Sequence, residues 1–281
     1  MTADTVTEIS ESDARTTYAV TRRIYEGSTS VGTDVLIADS PVYGRMLFLD
    51  GELQSASADE WIYHTSLVHP AMANAEWADE TARVLVVGGG EGATVREVLR
   101  WPGVRWVDWV DYDRDLVDLC REHLDWAPAV YDDRRVHFIG ADISDVAPAL
   151  GAYTVVILDL PDPDGETGWL YSDEFWRTMR GLLQPTGMLV THCGPVRPFG
   201  DIGAGFQRVR GALVDTAGFY SVSIPSFQGE WGFWLWSPNG APDPARRSDV
   251  SEWHAQFVRT PIWDRALGTQ HVGVEAAELE E

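Results

Sequence analysis

The residues best suited to chemistry lie at four points, each just after a short apolar run. Gly88-Gly89-Gly90-Glu91-Gly92 follows the run from Val84 to Val87, and Asp111 closes the run WVDWVD. Gly140-Ala141-Asp142 follows VHFI, and Asp159-Leu160-Pro161-Asp162-Pro163 follows YTVVIL. Glycines such as Gly88 and Gly90 let a backbone approach a ligand closely, and a helix beginning in such a loop presents free N–H groups. A carboxylate roughly twenty residues beyond the loop is placed to hold a ribose. Asp111 fits that position. Asp113 is the alternative, although it could instead cap the following helix. Asp142 can accept from an adenine amino group or serve as a helix cap. Together these positions describe a nucleoside site.

The loop also says which nucleoside. A dinucleotide would dock its pyrophosphate at the helix start, where Glu91 would repel it. No Lys lies near the loop, so the phosphate-binding pattern GxxxxGK[ST] is absent. The same Glu91 would welcome the amine of an S-adenosylmethionine-like tail. The reading is a sulfonium nucleoside.

These residues need a scaffold that brings strand ends together. After an apolar-periodic helix from Trp61 to Ala75, strand and helix patterns alternate: VLVVG, ATVREVLRW, WVDWVDYD, DLVDLCREHL, VHFIG, YTVVILDLPD, EFWRTMRGLL and GMLVTHC. Such alternation means βαβ units and a mostly parallel sheet covered on both faces. A last strand pair is expected near Phe219 to Ile224 and Trp231 to Ser237. Before the helix, TRRIYEGSTS, DVLIADS and GRMLFLDGELQ read as strands broken by turn residues. The fold class is therefore α/β, a Rossmann-like transferase fold with a small N-terminal antiparallel β-domain. The expected divisions are a flexible acidic tail over 1–16, the β-domain over 17–60 and the catalytic domain over 61–240. A C-terminal segment over 241–281 has no assignment.

With 281 residues, 44% of them hydrophobic, the chain can bury one large core. A formal charge of −23 argues against nucleic acid as a partner and suits a small cationic substrate. No apolar run is long enough to cross a bilayer, and the polar, acidic start is unlike a signal peptide. Cys120 and Cys193 have no metal or redox spacing, and Cys120 reads as a small buried hydrophobe. The expectation is a cytoplasmic protein without a metal.

The segments GRMLFLDGELQSASADEWIYH, VLVVGGGEGATVREVLRW, WVDYD, YDDRRVHFIGAD, DLPDP and LYSDEFW occur in an order and spacing that resemble the polyamine aminopropyltransferase (spermidine synthase) family. The resemblance runs from about Tyr18 to Ser237, most of the chain. It implies a homodimer or homotetramer. It also implies transfer of an aminopropyl group from decarboxylated S-adenosylmethionine to an amine, with release of 5′-methylthioadenosine. By the same resemblance Gln54, His64 and Glu91 contact the donor's methionine-derived part, while Asp111 holds the ribose and Asp142 the adenine. Asp159 is implied as the base, Tyr63 as its neighbour, and Asp162 as an anchor for the acceptor's far amine. The residue types suit the task, since an acceptor ammonium must lose a proton before it attacks carbon.

Departures from the family pattern gather at the acceptor end. The acidic loop is DLPDP, Tyr63-His64 is followed by Thr65 rather than an acid, and the later turn reads Pro225-Ser226-Phe227-Gln228-Gly229-Glu230-Trp231-Gly232. There Phe227 replaces a tyrosine and Glu230 could restore an acid, so both are acceptor-site candidates. Trp169, Tyr171, Trp176, Trp231, Phe233, Trp234 and Trp236 add an aromatic character, mostly as core, with a few possible walls for an ammonium. Two alternatives follow. One uses intact S-adenosylmethionine for methyl or aminocarboxypropyl transfer or for cyclisation, with Arg96 the single nearby cation for its carboxylate. The other is a non-catalytic binding module.

Overall fold

The strand order of the main sheet explains how distant acids can meet. The structure is a computed structural model that describes residues 4–9, 15–77, 81–161, 165–196, 217–240, 242–244 and 246. Six strands come first: β1 (Asp4–Ile9), β2 (Arg15–Val20), β3 (Arg22–Ser28), β4 (Asp34–Ser40), β5 (Gly44–Leu49) and β6 (Glu52–Ala56). Helix α1 (Glu60–Asn74) leads into β7 (Ala82–Gly88), α2 (Ala93–Leu99), β8 (Val104–Asp111), α3 (Arg114–His123) and β9 (Val136–Gly140). Then come α4 (Ile143–Val146), β10 (Tyr153–Asp159), α5 (Asp173–Gly181), β11 (Leu183–Pro195), β12 (Ala217–Ile224) and β13 (Gly229–Trp236).

Seven strands form one sheet in the order β12-β13-β11-β10-β7-β8-β9. Only β13 runs antiparallel to its neighbours. The chain moves outward from β7 through β8 to β9, then crosses back to place β10 on the other side of β7. Carboxyl ends of parallel strands at such a reversal are where open α/β sheets bind ligands. Register brings them level: Asp159 lies opposite Gly88, and Asp111 opposite Gly140. One face buries Val84, Val86, Ile157 and Trp109 beneath α1 and α2; the other buries Leu85, Val156, Leu158 and Trp176.

The smaller sheet, β3-β4-β5-β6, is antiparallel and apolar on both faces. Val35, Ile37 and Leu47 pack on Leu116 and Cys120 of α3 and on Leu124 just beyond it. Ala38, Met46 and Phe48 on the opposite side need their own cover, and Tyr18 and Val20 of β2 supply it. Here the expectation of a flexible tail is corrected. Residues 4–9 and 15–16 are paired strands, β1 against β2, because the underside of the sheet would otherwise be left in water. Cys120 is fully buried, as its apolar setting implied, and both cysteines are free thiols.

Asp113 ties the two sheets. Its Oδ1 caps α3 by accepting from Leu116 N–H at 3.0 Å, and its Oδ2 accepts from the Thr29 and Thr33 hydroxyls, each at 2.8 Å. Three donors thereby tie Asp113 into the fold. Hydrogen bonds to a charged group contribute about 1.5–3 kcal/mol each, so this one side chain is a substantial clamp. Among the described residues no helix is long and apolar enough to cross a membrane.

Candidate functional site

The glycines of the loop are required by how closely it passes the end of β10. Gly88 and Gly89 have φ of 79° and 67°, in the left-handed region that side chains avoid. A Cβ on Gly88 would stand 2.1 Å from the Asp159 carbonyl oxygen, and one on Gly89 would stand 2.7 Å from Asp159 Oδ2. Gly89 N–H donates to the Asp159 carbonyl at 3.0 Å, and Trp109 Nε1–H donates to the Gly88 carbonyl at 2.9 Å. The loop is thus fastened directly against the acid.

Asp159 is held on both oxygens. The Tyr63 hydroxyl donates to Oδ1 at 2.7 Å, and the Thr94 hydroxyl donates to Oδ2 at 2.6 Å. Tyr63 comes from the first turn of α1 and Thr94 from the first turn of α2. Three elements therefore converge on one carboxylate. Each of its oxygens keeps acceptor capacity, since an ionised carboxylate offers about four lone-pair sites. Thr94 was missed in the sequence; its signal was its place on the helix that opens from the glycine loop.

His64 lies on the same helix, buried and gripped at both nitrogens. Nε2 is 2.6 Å from Glu91 Oε1, and Nδ1 is 2.9 Å from Glu60 Oε2. Burial alone favours a neutral imidazole, but the two carboxylates outweigh it and hold His64 well above its ordinary pKa. Glu91 is 8% exposed, and its other oxygen, Oε2, is buried without a hydrogen-bond partner. An unsatisfied buried carboxylate oxygen is costly unless something cationic or donating arrives. Glu60 gave no motif signal, yet it stands one helical turn before His64, where i,i+4 side chains meet.

Asp111 is buried at 6% exposure, with Oδ1 accepting from Asp113 N–H at 2.9 Å. Burial pushes its carboxyl up to about 7, and the charges of Asp113 and Asp159 add to this against the opposing Asp113 N–H. Asp142 stands at the mouth of β9, where Oδ1 accepts from Ser144 N–H at 2.8 Å and caps α4. The capping role weighed for it is real.

An aromatic wall stands beside Tyr63. Its ring contacts Phe233 at 5.6 Å, His192 at 6.0 Å and Phe227 at 6.2 Å between centroids. His192 stacks on Trp231 at 6.1 Å, and Phe227 meets Trp231 at 4.7 Å. His192 Nε2 also contacts the Leu160 carbonyl at 2.5 Å, so this ring braces the loop that leaves Asp159. His192 was not singled out from the sequence.

Two expected residues are not brought into this group. Glu230 lies on β13 one residue from Trp231, so its side chain faces the opposite side of the sheet, where Oε2 accepts from Ser221 at 2.7 Å. Gln54 is exposed on β6, and its amide donates to the Glu52 carbonyl at 3.4 Å. Asp162 lies outside the described residues. Among the described residues no cluster of three or more His, Cys, Asp or Glu could hold a metal ion.

Comparison with known proteins gives a consistent result. Residues 60–243 match the family model for the spermine/spermidine synthase domain, and residues 6–57 match the spermidine synthase tetramerisation domain. The chain is 37% identical to polyamine aminopropyltransferase 2 of Pseudomonas aeruginosa over 272 residues, covering 94% of this chain and 74% of that protein. It is 39% identical to the polyamine aminopropyltransferase of a Synechococcus species over 236 residues, covering 82% and 74%. In fold it matches a spermidine synthase solved with the transition-state analogue AdoDATO, with a TM-score of 0.82 and 23% identity over 95% of this chain and 96% of that one. The spermidine synthase of Thermotoga maritima matches with a TM-score of 0.81 and 22% identity over 95% of each chain.

Proposed function

Because this chain belongs to the spermine/spermidine synthase family, we propose that it transfers an aminopropyl group from decarboxylated S-adenosylmethionine to a diamine or polyamine. The observation that carries this reading is the pair of acids on either side of the glycine loop. Glu91 keeps one buried oxygen open for the donor's ammonium. Asp159, held by Tyr63 and Thr94, keeps acceptor capacity for the amine that attacks.

In this reading the acceptor ammonium gives a proton to Asp159, and its lone pair attacks the carbon next to the sulfonium. A new C–N bond forms as the C–S bond breaks, and the bonding pair goes to sulfur, leaving neutral 5′-methylthioadenosine. The sulfonium is already a good leaving group, so positioning supplies much of the remaining catalysis. Tyr63, Phe227 and Trp231 are half-buried and turn aromatic surface toward that corner, which suits an ammonium through cation–π attraction. Asp162 remains the choice for the acceptor's far amine. Asp111 and Asp142 take the ribose and adenine, and His64 completes the donor side through its contact with Glu91. Intact S-adenosylmethionine suits the pocket less well. Its carboxylate needs a cation, and Arg96 is already given to Glu60 and Glu97.

The ribose role has a pH signature. Two ribose hydroxyls donate, so they prefer the ionised Asp111, whose carboxyl sits at about 7. Affinity for 5′-methylthioadenosine should rise with pH by up to about tenfold per unit below 7 and level off above it. Calorimetry from pH 5.5 to 8.5 (roughly one and a half units to each side) checks this, and Asp111→Asn should flatten the curve.

A homotetramer assembled through the N-terminal sheets and a cytoplasmic location complete the reading, and two free thiols suit a reducing compartment. The activity is tested by supplying decarboxylated or intact S-adenosylmethionine with a panel of diamines and longer polyamines. Amine-dependent release of 5′-methylthioadenosine from the decarboxylated donor is the expected result. Turnover of the intact donor alone would overturn it.

A further inference from the structure

The buried charges behind Glu91 do not stop at His64. Glu60 takes Arg96 on both oxygens, Nη1 on Oε1 at 2.8 Å and Nη2 on Oε2 at 2.9 Å. Arg96 Nε donates to Glu97 Oε1 at 2.9 Å, and its Nη1 also donates to the Trp126 carbonyl at 2.9 Å. Glu97 Oε2 meets His69 Nε2 and Arg100, each at 2.9 Å. Trp101 Nε1–H donates to His69 Nδ1 at 2.9 Å, so His69 must carry its proton on Nε2. One connected series of side chains runs from the pocket, between α1 and α2, to the far end of α2.

We propose that Glu60 and Arg96 are positioning residues for donor recognition, fixing His64 and Glu91 so that Glu91 Oε2 stays free and negative toward the donor's ammonium. The proposal rests on the aminopropyl-transfer reading and adds two residues to it. Carboxylates only accept, so His64 can serve Glu60 and Glu91 at once only with a proton on each nitrogen. The bidentate Arg96 fork sets the plane of the Glu60 carboxylate, which shares the His64 Nδ1–H, at 2.9 Å, with the Glu60 backbone carbonyl at 2.7 Å. Signs alternate along the series Glu91, His64, Glu60, Arg96, Glu97 and Arg100, three acids against three cations, with an acid at the pocket end. The fork also spends four of the five Arg96 N–H groups. Arg96 is thereby withheld from any donor carboxylate.

A structural brace would stabilise the helices without sensing the donor's amine, so the test compares two ligands. Decarboxylated S-adenosylmethionine carries the aminopropyl arm and 5′-methylthioadenosine lacks it. Their dissociation constants are measured for wild type, Glu60→Gln, Arg96→Met and Arg96→Lys. Glu60→Gln and Arg96→Met should weaken the aminated donor by about tenfold or more, the scale of one modest interaction, while 5′-methylthioadenosine binding stays within about twofold. Arg96→Lys keeps the charge but loses the fork and should recover only part of the loss. Equal weakening of both ligands, or of neither, would overturn the proposal, as would a wild type that does not favour the aminated ligand. Should Glu60→Gln fail to fold, the two Arg96 variants carry the same comparison. A wild type that favours the aminated donor yet transfers to no amine would defeat the activity reading and leave the positioning role standing.

Discussion

Asp159→Asn should lower kcat for aminopropyl transfer by about 10²–10⁴-fold, the range over which a positioned general base contributes. The substitution keeps shape and removes charge. It also replaces one accepting oxygen with an amide that donates, opposite hydroxyls of Tyr63 and Thr94 that both donate now. One hydroxyl can turn to accept, so the fold should survive while the proton acceptor does not. Single-turnover measurement of 5′-methylthioadenosine release checks the prediction. Donor affinity should change much less than kcat, because the proposal assigns the ribose and amine contacts to Asp111 and Glu91. A binding module without catalysis would show no rate to lose. An unchanged rate in Asp159→Asn would remove the assignment of Asp159 as base.

Glu91→Gln should act on the other half of the reaction, raising the KM for the decarboxylated donor far more than it lowers kcat. Removing one member of a buried, hydrogen-bonded charge pair costs about 2–5 kcal/mol, or roughly 30-fold to several thousand-fold. Glu91 serves two cations in this reading, His64 on Oε1 and the donor ammonium on Oε2. A neutral amide leaves His64 with Glu60 alone and offers the ammonium an uncharged oxygen. Steady-state kinetics in donor, with 5′-methylthioadenosine binding as reference, separates the effects. Equal loss for both ligands would mean that Glu91 shapes the loop rather than meets the amine.

The chain's local patterns carried a great deal. VLVV followed by GGGEG could only be a buried strand entering a turn that admits no side chains, and the structure gives the reason as 2.1 Å of room beside the Asp159 carbonyl. Acids at the ends of successive apolar runs became acids at the ends of neighbouring strands, since parallel strands joined by similar helices finish nearly level. The N-terminal hairpin was harder to read. DTVTEI is short, two-thirds polar and mostly exposed even when folded, so nothing local distinguishes it from a solvated tail. Its order comes from the apolar underside of β4 and β5, which its own residues do not reveal.

Contacts across the sheet were beyond local pattern altogether. Tyr63 and Asp159 are 96 positions apart, and Thr94 and Asp159 are 65 apart. Which face Glu230 takes depends on the pairing of β12 with β13; a one-residue shift would have turned it toward Phe227. Asp111 fits the ribose spacing better than Asp113 in the sequence, and the structure adds that the Thr29 and Thr33 hydroxyls, from the loop between β3 and β4, donate to Asp113.

The sequence by itself determined the α/β class and, through its family resemblance, the transferase assignment. Strand periodicity, glycine conformation and the direction of each side chain along its own element are properties of short segments. The tertiary structure alone decided how charge is arranged around the glycine loop. Glu91 became half of an ion pair with His64, and Arg96 was turned away by Glu60 and Glu97. Buried charges must be paired wherever the chain brings them together, and that is settled by the packing of α1 against α2 rather than by either helix alone.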